Sequence, residues 1–251
     1  MRLLAFDTST DTMSVAVTGV QGGVPRTWQT TGAGGVQASS SLIPVILDLM
    51  AQAGLDFPDL DAIAFGRGPG AFTGLRTACS VAQGLGFGAQ GRTGGRPVAL
   101  LPVDTLLALA EDARHRHAPG SSPLRVFSML DARMDQIYAA GYSFDGARWQ
   151  RHGNILLDRP ENLSLDVAWR QPGSILAGNV FAVYGHRLPC GDGLGRVDAL
   201  PTAGAMLRLA PALLAAGNAV SPELALPLYI RDKVAQTSSE RAAAKAAAPT
   251  P

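Results

Sequence analysis

Residues 2–11 read Arg2-Leu3-Leu4-Ala5-Phe6-Asp7-Thr8-Ser9-Thr10-Asp11. An apolar run of strand length stops at an aspartate, and a polar turn carries a second aspartate four residues on. Residues 124–135 repeat the plan: Leu124-Arg125-Val126-Phe127-Ser128-Met129-Leu130, then Asp131-Ala132-Arg133-Met134-Asp135. Asp7 overlays Asp131, and Asp11 overlays Asp135. Aspartates are common in turns, so the motif alone decides little. The order of elements around it decides more. After the first turn the pattern predicts extended segments at 14–18 and 24–30, a helix over Ser39–Ala53 capped by Ser39 or Ser40, a strand at 62–66, a helix over Thr73–Ala89, a strand over Pro97–Leu101 and a helix over Thr105–His115. After the second it predicts strands at 136–142 and 147–156 joined at Asp145-Gly146, a helix at 161–169, a strand at 174–178 and a helix at 202–216. Two β-β-β-α-β-α series predict an α/β fold, duplicated, each half a mixed sheet flanked by helices.

The expected organisation is a first lobe at 1–105 and a second at 106–235, whose last helix can pack back on the first lobe. A disordered tail is expected at 236–251, Gln-Thr-Ser-Ser-Glu-Arg onward, with a frayed helix through Ala242–Ala248 as the alternative. A duplicated unit with an acidic first hairpin is the plan of the actin-like, sugar-kinase-like (ribonuclease H-like) superfamily. There the two hairpins face each other across a cleft. The candidate cleft residues are Asp7, Thr8, Arg67, Gly68, Gly70, Thr73, Asp131 and Arg133.

Composition narrows the function classes. The chain has 251 residues, 21 Lys plus Arg against 20 Asp plus Glu, and 47% hydrophobic residues. That balance excludes a disordered chain and gives no global pull toward nucleic acid. Only Lys233 and Lys245 are lysines, and the arginines are scattered. Cys79 and Cys190 are too few for a disulfide framework and suit a reducing cytoplasm. No apolar stretch is long enough to cross a membrane as a helix, and no signal peptide is visible. Charged residues are only 16%, against about 25% in ordinary soluble domains. The shortage predicts a surface covered by a partner.

Residues 66–76 read Gly66-Arg67-Gly68-Pro69-Gly70-Ala71-Phe72-Thr73-Gly74-Leu75-Arg76, between a predicted strand and a predicted helix. Free N–H groups at a helix start can hold an anion. A turn this rich in glycine equally lets a helix lie close on a sheet. The sequence leaves both open. It is no Walker A loop, because no Lys-Ser/Thr follows at the required spacing.

This segment, followed by a helix of small residues, resembles the GPGSFTGLR segment of the TsaB (YeaZ) family. Three more stretches agree, in order: Leu3–Val17 resembles the family's opening, 130–138 its DARMGEVY hairpin, and 226–232 its closing P-x-Y-L-R segment. The resemblance covers most of the chain and stops near Val234. It implies a noncatalytic subunit for making N6-threonylcarbamoyladenosine at position 37 of tRNA. That subunit binds and activates TsaD, the paralogue that performs the transfer with a metal held by a His-x-x-x-His pair. It also implies TsaE, an ATPase, as a further partner, a homodimer in isolation, and tRNA held mainly through the complex. ATP and magnesium would belong to the complex, with no cofactor and no metal assigned to this chain. Its histidines, His115, His117, His152 and His186, include no pair spaced by four. The family's histidine near the start of the first helix is replaced here by Gln37-Ala38-Ser39.

Two alternatives remain. An ATPase or phosphotransferase of the same fold would use Thr8-Ser9, but the glycine that admits phosphate at the first hairpin is missing. A protease would need a Ser, His and Asp arrangement that spacing does not reveal.

The two helices of the first half are apolar or small almost all round, more than one buried face requires. Gly74, Ala78, Ala82 and Gly86 recur every four residues as a ridge that would let another helix come close. The expected partner interface is that ridge with Val81 and Leu85, and Leu42, Ile46, Leu49 and Met50 of the preceding helix.

Overall fold

A computed structural model describes residues 1–89, 97–117, 120, 122–163, 165, 167–171, 173–189 and 193–231. The tail expected at 236–251 lies outside the described residues. Strands β1 (Leu3–Asp7), β2 (Thr12–Gln21), β3 (Val24–Ala33), β4 (Ala62–Gly68) and β5 (Ala99–Asp104) form one sheet in the order β3-β2-β1-β4-β5. The first three run antiparallel, and β4 and β5 run parallel to β1. β1 is central and wholly buried, which explains why Leu-Leu-Ala-Phe shows no alternation. The β2–β3 ribbon turns at Gly22 and Gly23, with φ of 59° and 80°. Two positive φ values in a two-residue loop match the twist of the flanking strands.

The second sheet copies the first. β6 (Leu124–Arg133), β7 (Gln136–Phe144), β8 (Trp149–Asp158), β9 (Ser174–Gly178) and β10 (Gly195–Asp198) take the order β10-β9-β6-β7-β8, again three antiparallel strands and two parallel ones. The duplicated sheet plan therefore stands, with each copied strand at the same place in its sheet.

The helices are not copied equally. On the outer face of the first sheet lie α1 (Ala38–Ala53) and α2 (Phe72–Gly88), around Leu4, Phe6, Val15, Ile63 and Phe65. α1 begins one residue before Ser39, with Gln37 at its N-cap. The hydroxyls of Ser39 and Ser40 turn back to Val36 and Gln37 carbonyls instead of capping. Gly54, at φ 64°, ends it. In the second half the helix expected at 161–169 is replaced by two short 3-10 turns at Pro160–Asn162 and Val167–Arg170. Leu163, Leu165 and Trp169 drop from this stretch into the second sheet's outer core. The single turn α4 (Phe181–Tyr184) stands where α2 stands in the first half.

The last helix of each half lies on the other half's sheet. α3 (Thr105–His117) follows β5, yet Leu106, Leu109, Ala110 and Ala113 pack among Val126, Leu130, Tyr138 and Tyr142. α5 (Ala203–Ala215) follows β10, yet Ala203, Met206, Leu209 and Ala210 pack on Leu3, Ala5, Ala16, Ala62 and Ala64. The alanines of that face let α5 sit close. Glu111 of α3 joins the layers: it accepts from Arg114, from Arg208 of α5 and from the indole N–H of Trp149. Burial alone would raise its carboxyl, but these donors outweigh it and hold it below the usual range.

Candidate functional site

The two acidic hairpins meet at the mouth of a cleft between the sheets. A cavity of about 280 Å³ lies there, lined among others by Ser9, Asp11, Gly70, Asp131, Arg133 and Tyr138. Arg133 reaches across it to the Asp11 carboxylate. Asp131 is organised from its own lobe. Its carboxylate accepts from the Arg133 N–H at 2.8 Å and the Tyr184 hydroxyl at 3.2 Å, and its N–H donates to Asn179.

The tip of the second hairpin is strained. Arg133, Met134 and Asp135 have φ of 60°, 53° and 61°. For side chains with a Cβ this region costs roughly 1–2 kcal/mol per residue. The tip is held from outside by Arg187, which clamps Asp135 with both Nη atoms and also reaches Glu161. Arg187 keeps the Asp135 carboxyl below its usual range.

The first hairpin differs from expectation. Asp7 and Thr8 are fully buried and do not line the cavity. The start of α2 is laid over them. The Thr8 hydroxyl donates to the Gly74 carbonyl at 2.7 Å, and the Ala71 N–H donates to the Ser9 carbonyl at 2.8 Å. Each glycine of the 66–74 motif makes a close approach inside the chain. A Cβ on Gly66 would strike the Asp7 carboxylate. One on Gly70 would lie 2.6 Å from Ser9, and one on Gly74 would overlap the Thr8 carbonyl. Gly68, at φ 121°, faces the Leu228 carbonyl, which would be 2.7 Å from a Cβ there. The motif is a close-packing device: each of its glycines meets another part of the chain. Of the expected cleft residues, Gly70, Asp131 and Arg133 line the cavity. Asp7, Thr8 and Gly68 are sealed beneath it. Thr73 is exposed on α2. Arg67 lies half-buried near Asp104, which also receives Arg151 from β8 at 3.2 Å.

Asp7 carries a pH signature. Burial pushes its carboxyl up to about 6 from 3.8, against hydrogen bonds from the Ser9 hydroxyl and N–H that pull it down. Between those two pH values the folded chain binds more protons than the unfolded one. Stability therefore falls as pH rises through that window, and the full penalty is present above it. The shift corresponds to about 3 kcal/mol. Asp7→Asn removes the charge but puts an amide N–H where Oδ2 has no partner. The Asp7→Asn minus wild-type stability difference is expected to be about 3 kcal/mol more favourable at pH 8 than at pH 3.5. Denaturant melts at both pH values measure it, and a difference independent of pH rejects the shifted carboxyl.

The interface expectation is also corrected. Leu42, Ile46, Leu49 and Met50 are buried in the chain's own core, as are Gly74, Ala78, Ala82 and Gly86. Val81 and Leu85 are half-buried. Small residues let α2 approach its own sheet and the neighbouring Pro222, which touches Gly86. What the pair shows to solvent is a different face: Ile43 and Leu47 of α1, 47% and 50% exposed, and Ser80, Gly84 and Phe87 of α2. A Cβ on Gly84 would meet nothing within 4 Å.

The segment resembling the family's closing motif covers the cleft mouth, a position the sequence did not assign to it. Tyr229 stacks on Phe72 at 5.3 Å and accepts from Arg76 at 3.1 Å, while the Arg76 guanidinium lies 3.8 Å over the Phe72 ring. Arg231 donates to the Ala132 carbonyl and to Gln136. The resemblance marked 226–232, but its contacts lie far away in sequence.

Comparison with known proteins gives a consistent set. A family model described as TsaD, tRNA N6-adenosine threonylcarbamoyltransferase, matches residues 34–182. The tRNA threonylcarbamoyladenosine biosynthesis protein TsaB of Escherichia coli is 30% identical, covering 94% of this chain and 96% of the relative. The protein of the same name from Haemophilus influenzae is 30% identical, covering 93% and 95%. Among solved structures, YeaZ from Pseudomonas aeruginosa superposes with a TM-score of 0.74 at 33% identity, covering 91% of this chain and 99% of that one.

Proposed function

The chain belongs to the TsaB family, and we propose that it is the noncatalytic subunit that binds and activates TsaD in tRNA N6-threonylcarbamoyladenosine biosynthesis. Membership gives the pathway. The observation that carries the finer reading is the outward face of α1 and α2. These helices are fully supported by their own sheet, yet they leave Ile43, Leu47 and Phe87 in solvent beside small Ser80 and Gly84. A flat apolar face with small residues suits a pair of helices from a partner of the same fold. The same face would pair two copies when the chain is alone. TsaE joins the pair as its ATPase, tRNA is held chiefly by TsaD, and the complex works in the cytoplasm. No described helix is long and apolar enough to cross a membrane.

The sealing of Asp7 and Thr8 supports the noncatalytic role. An ATPase of this fold needs its first hairpin open to phosphate, and here Thr8 is already spent on Gly74. Expression of this chain in bacteria depleted of their own TsaB, together with its cognate TsaD, is expected to restore the modified nucleoside and to co-purify TsaD. Nucleoside mass spectrometry and affinity capture measure both. No rescue and no capture would remove the proposal, and tight binding of Mg-ATP by the isolated chain in calorimetry would favour the ATPase instead.

A further inference from the structure

Among the described residues the chain crosses between the lobes three times. Two crossings end in helices, α3 and α5, that are locked into the opposite core. The third has no secondary structure after Ala225. That residue is fully buried in the first lobe's outer core. The Leu228 N–H then donates to the Arg67 carbonyl at 2.7 Å, and its own carbonyl lies against Gly68. Two residues later Ile230 packs on the second lobe's core. The strap thus links two hydrophobic cores with very little chain.

Its two ends are held differently. The first is fixed by burial and backbone pairing. On that first lobe it also carries Tyr229, 44% exposed, against Phe72 and Arg76 of α2. The second end is held by Ile230 on the second core and by Arg231 on the second hairpin. The Arg231 guanidinium spans that hairpin, taking the Ala132 carbonyl at 3.2 Å and the Gln136 side chain at 2.6 Å. These groups flank the three residues held at positive φ. A strained turn keeps its shape only while its surroundings over-determine it. Arg231 is one of those constraints, and it belongs to a segment rooted in the other lobe.

We propose that residues 225–231 are a latch that sets the angle between the lobes, with Tyr229 on the first lobe and Arg231 on the second as its releasable contacts. While Arg231 is seated, the second hairpin tip, the cleft mouth and the Arg133–Asp11 bridge hold together. Once it leaves, the tip keeps only the Arg187 clamp on Asp135, and the lobes gain freedom about the two helical crossings. The device is independent of which partner the chain binds.

The test places spin labels at Ser40→Cys and Gln150→Cys, both exposed positions on opposite lobes, in a full-length chain whose own two cysteines are replaced by alanine, diluted with excess unlabelled chain so that only distances within one chain are read. Pulsed electron resonance is expected to give one narrow distance with Arg231 present. In Arg231→Ala and in Tyr229→Ala the distribution is expected to broaden or acquire a second distance. Arg231→Lys keeps the charge but not the fork, and is expected to fall between. In parallel, hydrogen exchange at 226–231 and 131–136 is expected to quicken at least tenfold in Arg231→Ala, with β1 and β4 unchanged. Distances identical to wild type in both alanine variants would overturn the latch. So would exchange that quickens equally everywhere, because that reports general destabilisation.

Discussion

Gly74→Ala is expected to be strongly destabilising. The new Cβ would overlap the Thr8 carbonyl, a backbone atom of the buried hairpin that cannot rotate away. The helix cannot back off either. Its first turn is tied to that hairpin by the Thr8 and Ala71 hydrogen bonds, and Leu75, Ala78 and Ala82 are buried behind it. Overpacking a core against side chains costs typically 1–3 kcal/mol, and against fixed backbone the loss is expected to exceed about 3 kcal/mol. For a chain of this length that lowers the melting temperature by roughly 10 °C. Gly84→Ala is the matched control on the same helix. It enters open space, so better helix propensity should stabilise by up to about 1 kcal/mol. Thermal melts of the two variants should move in opposite directions. A Gly74→Ala protein melting with the wild type would show that α2 does not lie on the hairpin as described.

The second large effect concerns the partner. Leu47→Arg combined with Gly84→Arg places two charges on the outward face of α1 and α2 without touching the core. Exposed substitutions of this kind usually change stability by less than about 0.5 kcal/mol. Burying two unpaired charges at a helical interface is expected to weaken TsaD binding at least about a hundredfold, equivalent to about 3 kcal/mol. The modified nucleoside should fall with it, while the melting temperature stays near wild type. Undiminished capture of TsaD by the double variant would move the interface elsewhere. Ala82→Arg would be a poor choice for this purpose. Ala82 is buried, so that protein would lose binding by losing its fold.

The contrast between Ala82 and Gly84 also shows where the sequence stops being readable. The duplication was legible, because an apolar run ending in aspartate is a local signal that recurs with a meander behind it, but the short edge strand β10 was not read, since Gly195–Asp198 carries no apolar run. The small ridge of α2 was legible as a ridge. Its partner was not, since the same small residues permit close approach to any surface, and periodicity names a face without saying what it meets. The first hairpin failed for a related reason. Asp7 and Thr8 have the residue types of an open polar turn, and only the docking of residues 70–74 closes it. At 161–169 the apolar positions fit a helix by spacing, but Leu163, Leu165 and Trp169 serve as separate plugs into a sheet face. The latch was hidden by distance: Arg231 meets residues nearly a hundred positions earlier in the chain.

The exchange of α3 and α5 between the sheets separates two meanings of a repeat. As an inherited stretch of sequence, each half is complete, with five strands and a closing helix. As an object able to exist by itself, neither is. A chain cut between α3 and β6 would give one piece holding a helix meant for the other sheet and lacking the helix its own sheet needs. Within one polypeptide each half closes the other's sheet, so the two can only be stable together.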